Sequence, residues 1–121
     1  MYQEKEEINR TGILIQADGN VKTVHLEGDI KQALREELGG GISIVRSSDR
    51  YFWVYRKASF DLHQKYNAEA SYLSGQSVYG DCIVIPKTED RYEGFSFREA
   101  LMLANNFAFN EKCRYDGIPV Y

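Results

Sequence analysis

An aromatic stretch bordered by cations carries the strongest chemical signal in this chain. A strand over 51–55 would place Tyr51, Trp53 and Tyr55 on one face, with Phe52 and Val54 on the other. Exposed rings can stack on nucleobases while cations neutralise phosphates, and the same residue types dominate the energetics of protein interfaces. The pattern favours a core position for Trp53 and Tyr55, covered by one of the helices, and the alternative is an exposed surface that binds a nucleotide or a protein. The candidate binding residues are Arg46, Arg50, Tyr51, Trp53, Tyr55, Arg56 and Lys57.

Three further residues combine a structural role with a ligand-binding alternative. Asn67 is placed to cap a helical turn. Gly80 permits a bulge or a close backbone approach at the start of a strand. Asp81 can accept backbone N–H bonds from the loop that precedes it, between Ser74 and Tyr79. We expect structural roles for all three, and contact with a ligand is the alternative for each.

Catalytic and metal-binding patterns are weak. The chain has two histidines, His25 and His63, and neither lies in a recognisable nucleophile motif. An imidazole oriented by Asp61 at His63 is the arrangement that would suit catalysis, whereas Cys82 lies in an apolar run typical of a buried, unreactive thiol. The acidic residues lack the spacing of a calcium loop, and no pair of histidines suits zinc. We therefore predict a protein that is not an enzyme and that binds no metal and no cofactor.

Length and composition indicate one ordinary globular domain. The 121 residues carry a net charge of -3 and are 43% hydrophobic, which is too little acidity for a DNA mimic and the wrong sign for a general nucleic-acid binder. No segment approaches the ~20 apolar residues of a membrane span, and the charged start lacks the apolar core of a signal peptide. Two cysteines without paired spacing fit a reducing compartment. These features predict no membrane association and a cytoplasmic location.

Turn and capping residues delimit the elements of the first half. The segment 18–20, Asp-Gly-Asn, separates two aliphatic runs and predicts an opening β-hairpin. Asp29 is placed as the N-cap of a helix that ends at Gly39. The three glycines at 39–41 follow this helix. A phosphate-cradling loop precedes a helix, so such a loop is disfavoured here. The runs 42–46 and 51–55, joined by four polar residues, predict a second hairpin.

In the second half, a short helical turn is predicted from Asn67 to Gly75, followed by a strand over 78–85. Ser96 and Glu99 have the spacing of a capping box ahead of a final amphipathic helix. The order β-β-α-β-β-(short α)-β-α predicts an α+β fold with an antiparallel or mixed sheet of about five strands and two main helices. We expect a flexible acidic arm at 1–10, a single domain at 11–109 and a C-terminal tail at 110–121.

Several of these features together resemble a family of small phage, prophage and plasmid proteins that is known as a domain of unknown function. The resemblance covers about Gly12 to Leu103 and is carried by the opening hairpin, the junction at 38–40, Asn67-Ala68 with Ala70, and Gly80-Asp81. The chain differs from the pattern in its aromatic stretch, its acidic arm and its C-terminal extension. The resemblance implies a mobile-element origin and names no reaction.

From these observations we expect a non-catalytic accessory protein of a phage or mobile element that binds and inhibits a host protein. A component of an antiviral defence, such as a CRISPR nuclease or another defence nuclease, is a plausible partner. The alternative is a module that sequesters a nucleotide signal through aromatic stacking and arginine–phosphate contacts, as a symmetric homodimer or larger oligomer. A further alternative is a structural or interaction protein of another kind.

Overall fold

The computed structural model describes residues 9–45, 50–56, 65–89 and 91–115, and for 108–115 it describes the backbone alone. Within these ranges the elements follow the predicted order. The strands are β1 (Thr11–Ile15), β2 (Val21–His25), β3 (Ile42–Val45), β4 (Tyr51–Arg56) and β5 (Cys82–Pro86). The helices are α1 (Ile30–Leu38), α2 (Ala68–Ser74) and α3 (Phe97–Tyr115).

All five strands form one sheet in the order β2-β1-β5-β4-β3, and each neighbouring pair is antiparallel. Both predicted hairpins are present, as the β1–β2 and β3–β4 pairs. β5 lies between them at the centre of the sheet, where Ile83 is opposite Leu14 on one side and Val54 on the other. The predicted α+β fold is confirmed, and its sheet is antiparallel rather than mixed.

Helices cover both faces of the sheet, because alternate side chains of the central strands are apolar on each face. On one face Trp53 and Val84 pack in a core with Ala70 of α2 and Phe107 of α3. On the other face Val54, Ile83 and Ile85 pack against α1. β4 is therefore covered by helices on both faces.

Helix ends follow local sequence chemistry. The Asp29 carboxylate accepts the N–H of Gln32 at 3.0 Å at the start of α1. Gly39 ends the helix with a φ of 85°, a left-handed conformation that costs glycine little. The Ser96 hydroxyl oxygen accepts the N–H of Glu99 at 3.2 Å at the start of α3. These three predicted caps are confirmed.

Two predicted boundaries differ from the structure at the ends of the domain. Arg10, assigned above to the flexible arm, belongs to the folded body, since its guanidinium donates to the carbonyl oxygens of Leu26 at 3.2 Å and Gly28 at 2.6 Å. At the other end, α3 continues to Tyr115, whereas the sequence placed the start of a tail at residue 110. Residues 1–8 and 116–121 lie outside the described part of the chain.

Candidate binding site

The aromatic face of β4 is part of the core. Trp53 is only 3% exposed, and Tyr51 and Tyr55 are half-buried against the same core cluster. The ring centroid of Phe107 lies 6.1 Å from that of Trp53 and 6.4 Å from that of Tyr51, so helix α3 covers this face. Trp53 therefore lies in the core, as the sequence favours, and the alternative in which it contributes to an exposed surface is excluded. The ring is buried because β4 has a strand on either side and a helix above it.

Of the predicted cations, the two that the structure describes lie apart. Arg50 is exposed just before β4, and Arg56 is half-buried at the opposite end of that strand. Six-residue β4 therefore separates the two guanidinium groups along its length. Arg46 and Lys57, and with them His63 and Asp61, lie outside the described residues.

The buried side chain of Asn67 makes hydrogen bonds to three separate parts of the chain. Its side chain is 1% exposed, and its Oδ1 accepts the N–H of Ala70 at 3.0 Å, which confirms the predicted cap of α2. Its Nδ2 donates to the carbonyl oxygens of Ile15 at 2.9 Å and Gly80 at 2.8 Å. One amide thus joins a sheet strand, a helix start and the segment that leads into β5. Because these bonds occupy the amide, the ligand-contact alternative for Asn67 is disfavoured.

A pair of exposed tyrosines lies beside Asn67. Tyr66 and Tyr79 form an isolated antiparallel bridge, flanked by backbone bonds from Gly80 N to Lys65 O at 2.7 Å and from Asn67 N to Val78 O at 2.8 Å. Residues opposite each other between such bonds form a non-hydrogen-bonded pair, in which side chains lie closest. The two rings accordingly meet edge to face, with centroids 5.3 Å apart, and are 48% and 49% exposed.

A third exposed tyrosine belongs to the same region. Tyr72 of α2 is 63% exposed. It follows Ser71, whose hydroxyl accepts the N–H of Val78 at 2.7 Å, and Val78 directly precedes Tyr79. We call Tyr66, Tyr72 and Tyr79 the tyrosine surface.

A mixed-charge cleft adjoins the tyrosine surface, because Lys65 and Gly80 are the chain neighbours of Tyr66 and Tyr79. Its volume is about 250 Å³. The cleft lies where the β1–β2 turn, the end of α1, the end of β4, the segment at Lys65 and the entry to β5 meet. We call it the junction cleft, and it is lined by Ala17, Glu37, Leu38, Arg56, Lys65, Gly80 and Asp81.

Gly80 and Asp81 line the junction cleft, and their local structure differs from the prediction. Gly80 has a φ of 81°, which turns the chain ahead of β5. The predicted strand over 78–85 therefore begins only at Cys82. Asp81 Oδ1 accepts the N–H of Ala17 at 3.0 Å. The prediction that Asp81 fixes the loop before it is corrected: it fixes the β1–β2 turn, 64 residues earlier in the chain.

Arg56 reaches the cleft over the end of α1. A Cβ added to Gly40 would lie 3.4 Å from Arg56 Nε, so the guanidinium passes close to that backbone. The C-terminal end of a helix carries a partial negative charge that favours a nearby cation. Arg56 thus has a structural role besides its position in the cleft.

The remaining reactive groups lie elsewhere. His25 Nε2 is 2.9 Å from a carboxylate oxygen of Glu27 at the surface of β2. Cys82 is fully buried in the central strand, and burial raises the pKa of its thiol, as expected for an unreactive cysteine. Among the described residues, no three His, Cys, Asp or Glu side chains are grouped so that they could hold a metal ion. None of the helices in the described ranges has both the length and the apolar character needed to cross a membrane.

A second exposed apolar group lies on α3. Phe97, Leu101 and Met102 are 59%, 46% and 60% exposed near the start of that helix. They lie away from the buried side, which faces the sheet through Ala100 and Ala104. This group offers a natural comparison for any function assigned to the tyrosine surface.

Comparisons with known proteins assign no family. No family model, no curated protein and no solved structure matches this chain. The resemblance to the phage and plasmid family therefore stays a prediction from sequence, and any function has to be argued from the geometry.

The sequence did not single out the tyrosine surface, although three of the chain's nine tyrosines fall within 66–79. A usable signal was that Tyr66 directly precedes the capping residue Asn67 and that Tyr79 directly precedes the left-handed Gly80. Both tyrosines therefore lie next to backbone that hydrogen bonds hold in place. Glu37 and Lys65 gave no such signal, because the cleft they line forms only when separate elements meet.

Proposed function

We propose that this protein is a non-catalytic interaction protein that binds another protein through the tyrosine surface. The observation that carries the proposal is the exposure of Tyr66, Tyr72 and Tyr79 within residues 66–79, with the rings of Tyr66 and Tyr79 in mutual contact. Tyrosine is enriched among the residues that dominate binding energy, since it combines a large apolar ring with a hydroxyl and loses little rotamer entropy.

Hydrogen bonds hold the backbone that carries Tyr66 and Tyr79 in place, which favours binding. Tyr66 and Tyr79 are held by backbone bonds on both sides of their bridge, and the buried amide of Asn67 fixes the adjoining backbone. A surface that is ordered before binding loses less entropy when it meets a partner. The charged junction cleft beside it supplies polar groups of both signs for the rim of an interface.

For the biological setting, we propose an accessory protein of a phage or mobile element that acts in the host cytoplasm on a host protein. A defence nuclease, including a CRISPR nuclease, is the partner class that we would test first. The support for this setting is the sequence resemblance described above, and the tyrosine surface supplies the contact that such an inhibitor would need.

The nucleotide-sequestration alternative has less structural support. Base stacking on β4 would require an exposed Trp53, and that ring is buried. Arg56 and Lys65 do line one cleft, but Glu37 and Asp81 line it with them and would repel a polyanion. A thermal-shift screen with cyclic dinucleotides and ADP-ribose derivatives tests this alternative, because a ligand that binds the native state raises the unfolding midpoint.

The decisive experiment compares matched surface variants in one capture assay. Wild-type protein and the variants Tyr66→Ala, Tyr72→Ala and Tyr79→Ala are immobilised and exposed to bacterial host lysate, and bound proteins are identified by mass spectrometry. Phe97→Ala and Met102→Ala on α3 are the controls, since they remove side chains of comparable exposure. The partner is then purified, and its affinity for each variant and the inhibition of its activity are measured.

We expect at least one tyrosine variant to weaken binding of the purified partner about tenfold or more, as hot-spot truncation does. The α3 controls should bind like wild type. A partner that is lost with the α3 variants and retained by all three tyrosine variants would show that the surface is assigned wrongly. A midpoint shift with a nucleotide and no stoichiometric protein partner would replace the proposal by the sequestration alternative.

A further inference from the structure

The contact between Tyr66 and Tyr79 places two oxidisable rings side by side at the surface. Their centroids are 5.3 Å apart at an interplanar angle of 68°, and both residues are exposed to solvent. Among the ring contacts between described residues, this is the one that joins two tyrosines. A dissolved oxidant can therefore reach both phenols of a pair that is already in contact.

The backbone keeps the two rings opposite each other. Tyr66 and Tyr79 form an isolated antiparallel bridge with backbone hydrogen bonds on both sides of it. The buried side chain of Asn67 joins the two segments again, since its Nδ2 donates to the carbonyl oxygen of Gly80 at 2.8 Å. Reacting groups that are held near each other combine faster than groups that must first meet by diffusion. The native fold thus presents these rings as a preformed pair.

The third residue of the tyrosine surface provides a contrast. Tyr72 is 63% exposed, which is more than either member of the pair. The ring contact in this region joins Tyr66 with Tyr79 and does not include Tyr72. Exposure and ring contact therefore favour different tyrosines, so that an experiment can distinguish a reaction governed by accessibility from one governed by the contact.

We propose that Tyr66 and Tyr79 are a site of intramolecular dityrosine formation by a one-electron oxidant. Each phenol gives up one electron and one proton, and the two phenoxyl radicals form a carbon–carbon bond between an ortho carbon of each ring. The hydrogens on these two carbons then leave as protons while each oxygen regains one, which restores both aromatic rings. The oxidant class is a peroxidase that uses hydrogen peroxide, which takes up the two electrons and the two released protons and becomes water.

The product is a covalent loop around helix α2. The bond joins the residue that precedes Asn67 to the residue that precedes Gly80, and α2 lies between them in the chain. A crosslink of this kind restricts the separation of the two segments. The inference concerns the chemistry of two side chains and does not depend on the protein partner proposed above.

Photo-oxidation of the purified full chain tests the site. Dilute wild-type protein is illuminated with tris(bipyridine)ruthenium(II) and persulfate, which removes one electron at a time and leaves sulfate as the reduced product. The monomer is separated from covalent dimers, and its dityrosine fluorescence and intact mass are measured. We expect a fluorescent monomer that is lighter by two hydrogen atoms, in a yield that does not depend on protein concentration.

Phenylalanine variants assign the bond to its residues. Tyr66→Phe and Tyr79→Phe keep a ring but lack the phenol, so each should lower the fluorescence of the monomer about tenfold or more. Tyr72→Phe is the matched control and should give the wild-type yield, although it removes the more exposed phenol. Trypsin releases the peptide 66–87, and cleavage after Glu69 then leaves two fragments that stay joined in the crosslinked product.

The same oxidation in urea tests whether the fold is responsible. Unfolding removes the bridge but not the short distance along the chain, so the yield of the 66–79 bond should fall about tenfold. Dityrosine found in covalent dimers alone, or in no product, would overturn the inference. An equal loss of monomer fluorescence in Tyr72→Phe and Tyr66→Phe, or an equal yield in native and unfolded protein, would also overturn it.

Discussion

The side chain of Asn67 donates a hydrogen bond to the carbonyl oxygen of Ile15 at 2.9 Å, although 52 residues separate the two in the chain. Ile15 ends β1, and Asn67 precedes α2. The bond therefore fixes the edge of the sheet to the segment that holds the tyrosine surface, in a position from which water is excluded. Loss of this bond should affect both stability and binding.

We predict that Asn67→Ala lowers the free energy of unfolding by about 2–4 kcal/mol, since it removes the helix cap and leaves one buried and one partly buried carbonyl oxygen without this donor. Urea denaturation followed by circular dichroism measures the change. Asn67→Asp retains an acceptor for the cap but replaces the donor by a carboxylate facing two carbonyls, so it should be no more stable than the alanine variant. Asn20→Ala, at an exposed turn, is the control and should cost less. A mild effect of Asn67→Asp would contradict the assigned donor role.

Glycines 39 and 41 should respond to alanine with opposite signs. Gly39 has a φ of 85°, so Gly39→Ala forces a side chain into the left-handed region and should cost about 1–2 kcal/mol. Gly41 is exposed, is not in that region and has open space at its Cβ position. Gly41→Ala should stabilise the protein by about 0.5 kcal/mol, because it restricts the unfolded chain. The unfolding midpoints of the two variants are measured under the same conditions and compared with that of wild type. Equal midpoints for the two variants would argue against the C-cap at Gly39.

Cys82 should make stability fall in alkaline solution. Burial is the main cause that raises the pKa of this thiol above its ordinary value of 9.0, and the nearby Asp81 charge raises it further against a backbone hydrogen bond that lowers it. Above pH 9.0 the unfolded chain releases the thiol proton while the folded protein keeps it. The unfolded state then binds fewer protons, so the free energy of unfolding decreases by up to about 1.4 kcal/mol per pH unit.

A Cys82→Ala variant isolates this effect. Its absolute stability will be lower because of the lost side-chain volume, and only the dependence on pH is compared. Urea denaturation at several pH values above the ordinary thiol pKa should give a shallower decline for the variant than for wild type. Parallel declines would show that the thiol does not contribute.

Trp53 should tolerate phenylalanine better than its size suggests. Its indole nitrogen is buried and has no hydrogen-bond partner within the described residues. Trp53→Phe removes that unsatisfied donor, which offsets part of the lost packing, and should cost about 1 kcal/mol. Phe107→Ala, which opens a cavity against the same ring, should cost about 3–5 kcal/mol. Chemical denaturation compares the two, and equal losses would count against the offset.

The features that were predictable from sequence depend on residues close together in the chain. The first hairpin follows from its turn residues, and α1 follows from a cap at Asp29 and a left-handed Gly39. Each of these signals is complete within one helix or one turn. Local chemistry was therefore sufficient to predict the order of elements and the α+β class.

The features that were mispredicted or left open depend on distant contacts. The sequence favoured burial of Trp53 but could not name Phe107 as the ring that covers it, and the role of Asp81 was mispredicted because it requires Ala17. The strand β5 was predicted to begin at residue 78, whereas it begins at Cys82, because the positive φ of Gly80 interrupts the extended conformation. The junction cleft exists only where five separate segments meet, and sequence alone gave no measure of their proximity.

The central place of β5 also determines when this protein can finish folding. The hairpins β1–β2 and β3–β4 are local and can form early on the ribosome. Between them, β1 and β4 each keep an unpaired apolar edge until residues 82–86 have been synthesised. Such edges pair readily with other chains. A polypeptide truncated before Cys82 would contain two hairpins that no central strand joins, with the edges of β1 and β4 unpaired. We therefore expect truncated translation products of this chain to aggregate rather than persist as a smaller soluble domain.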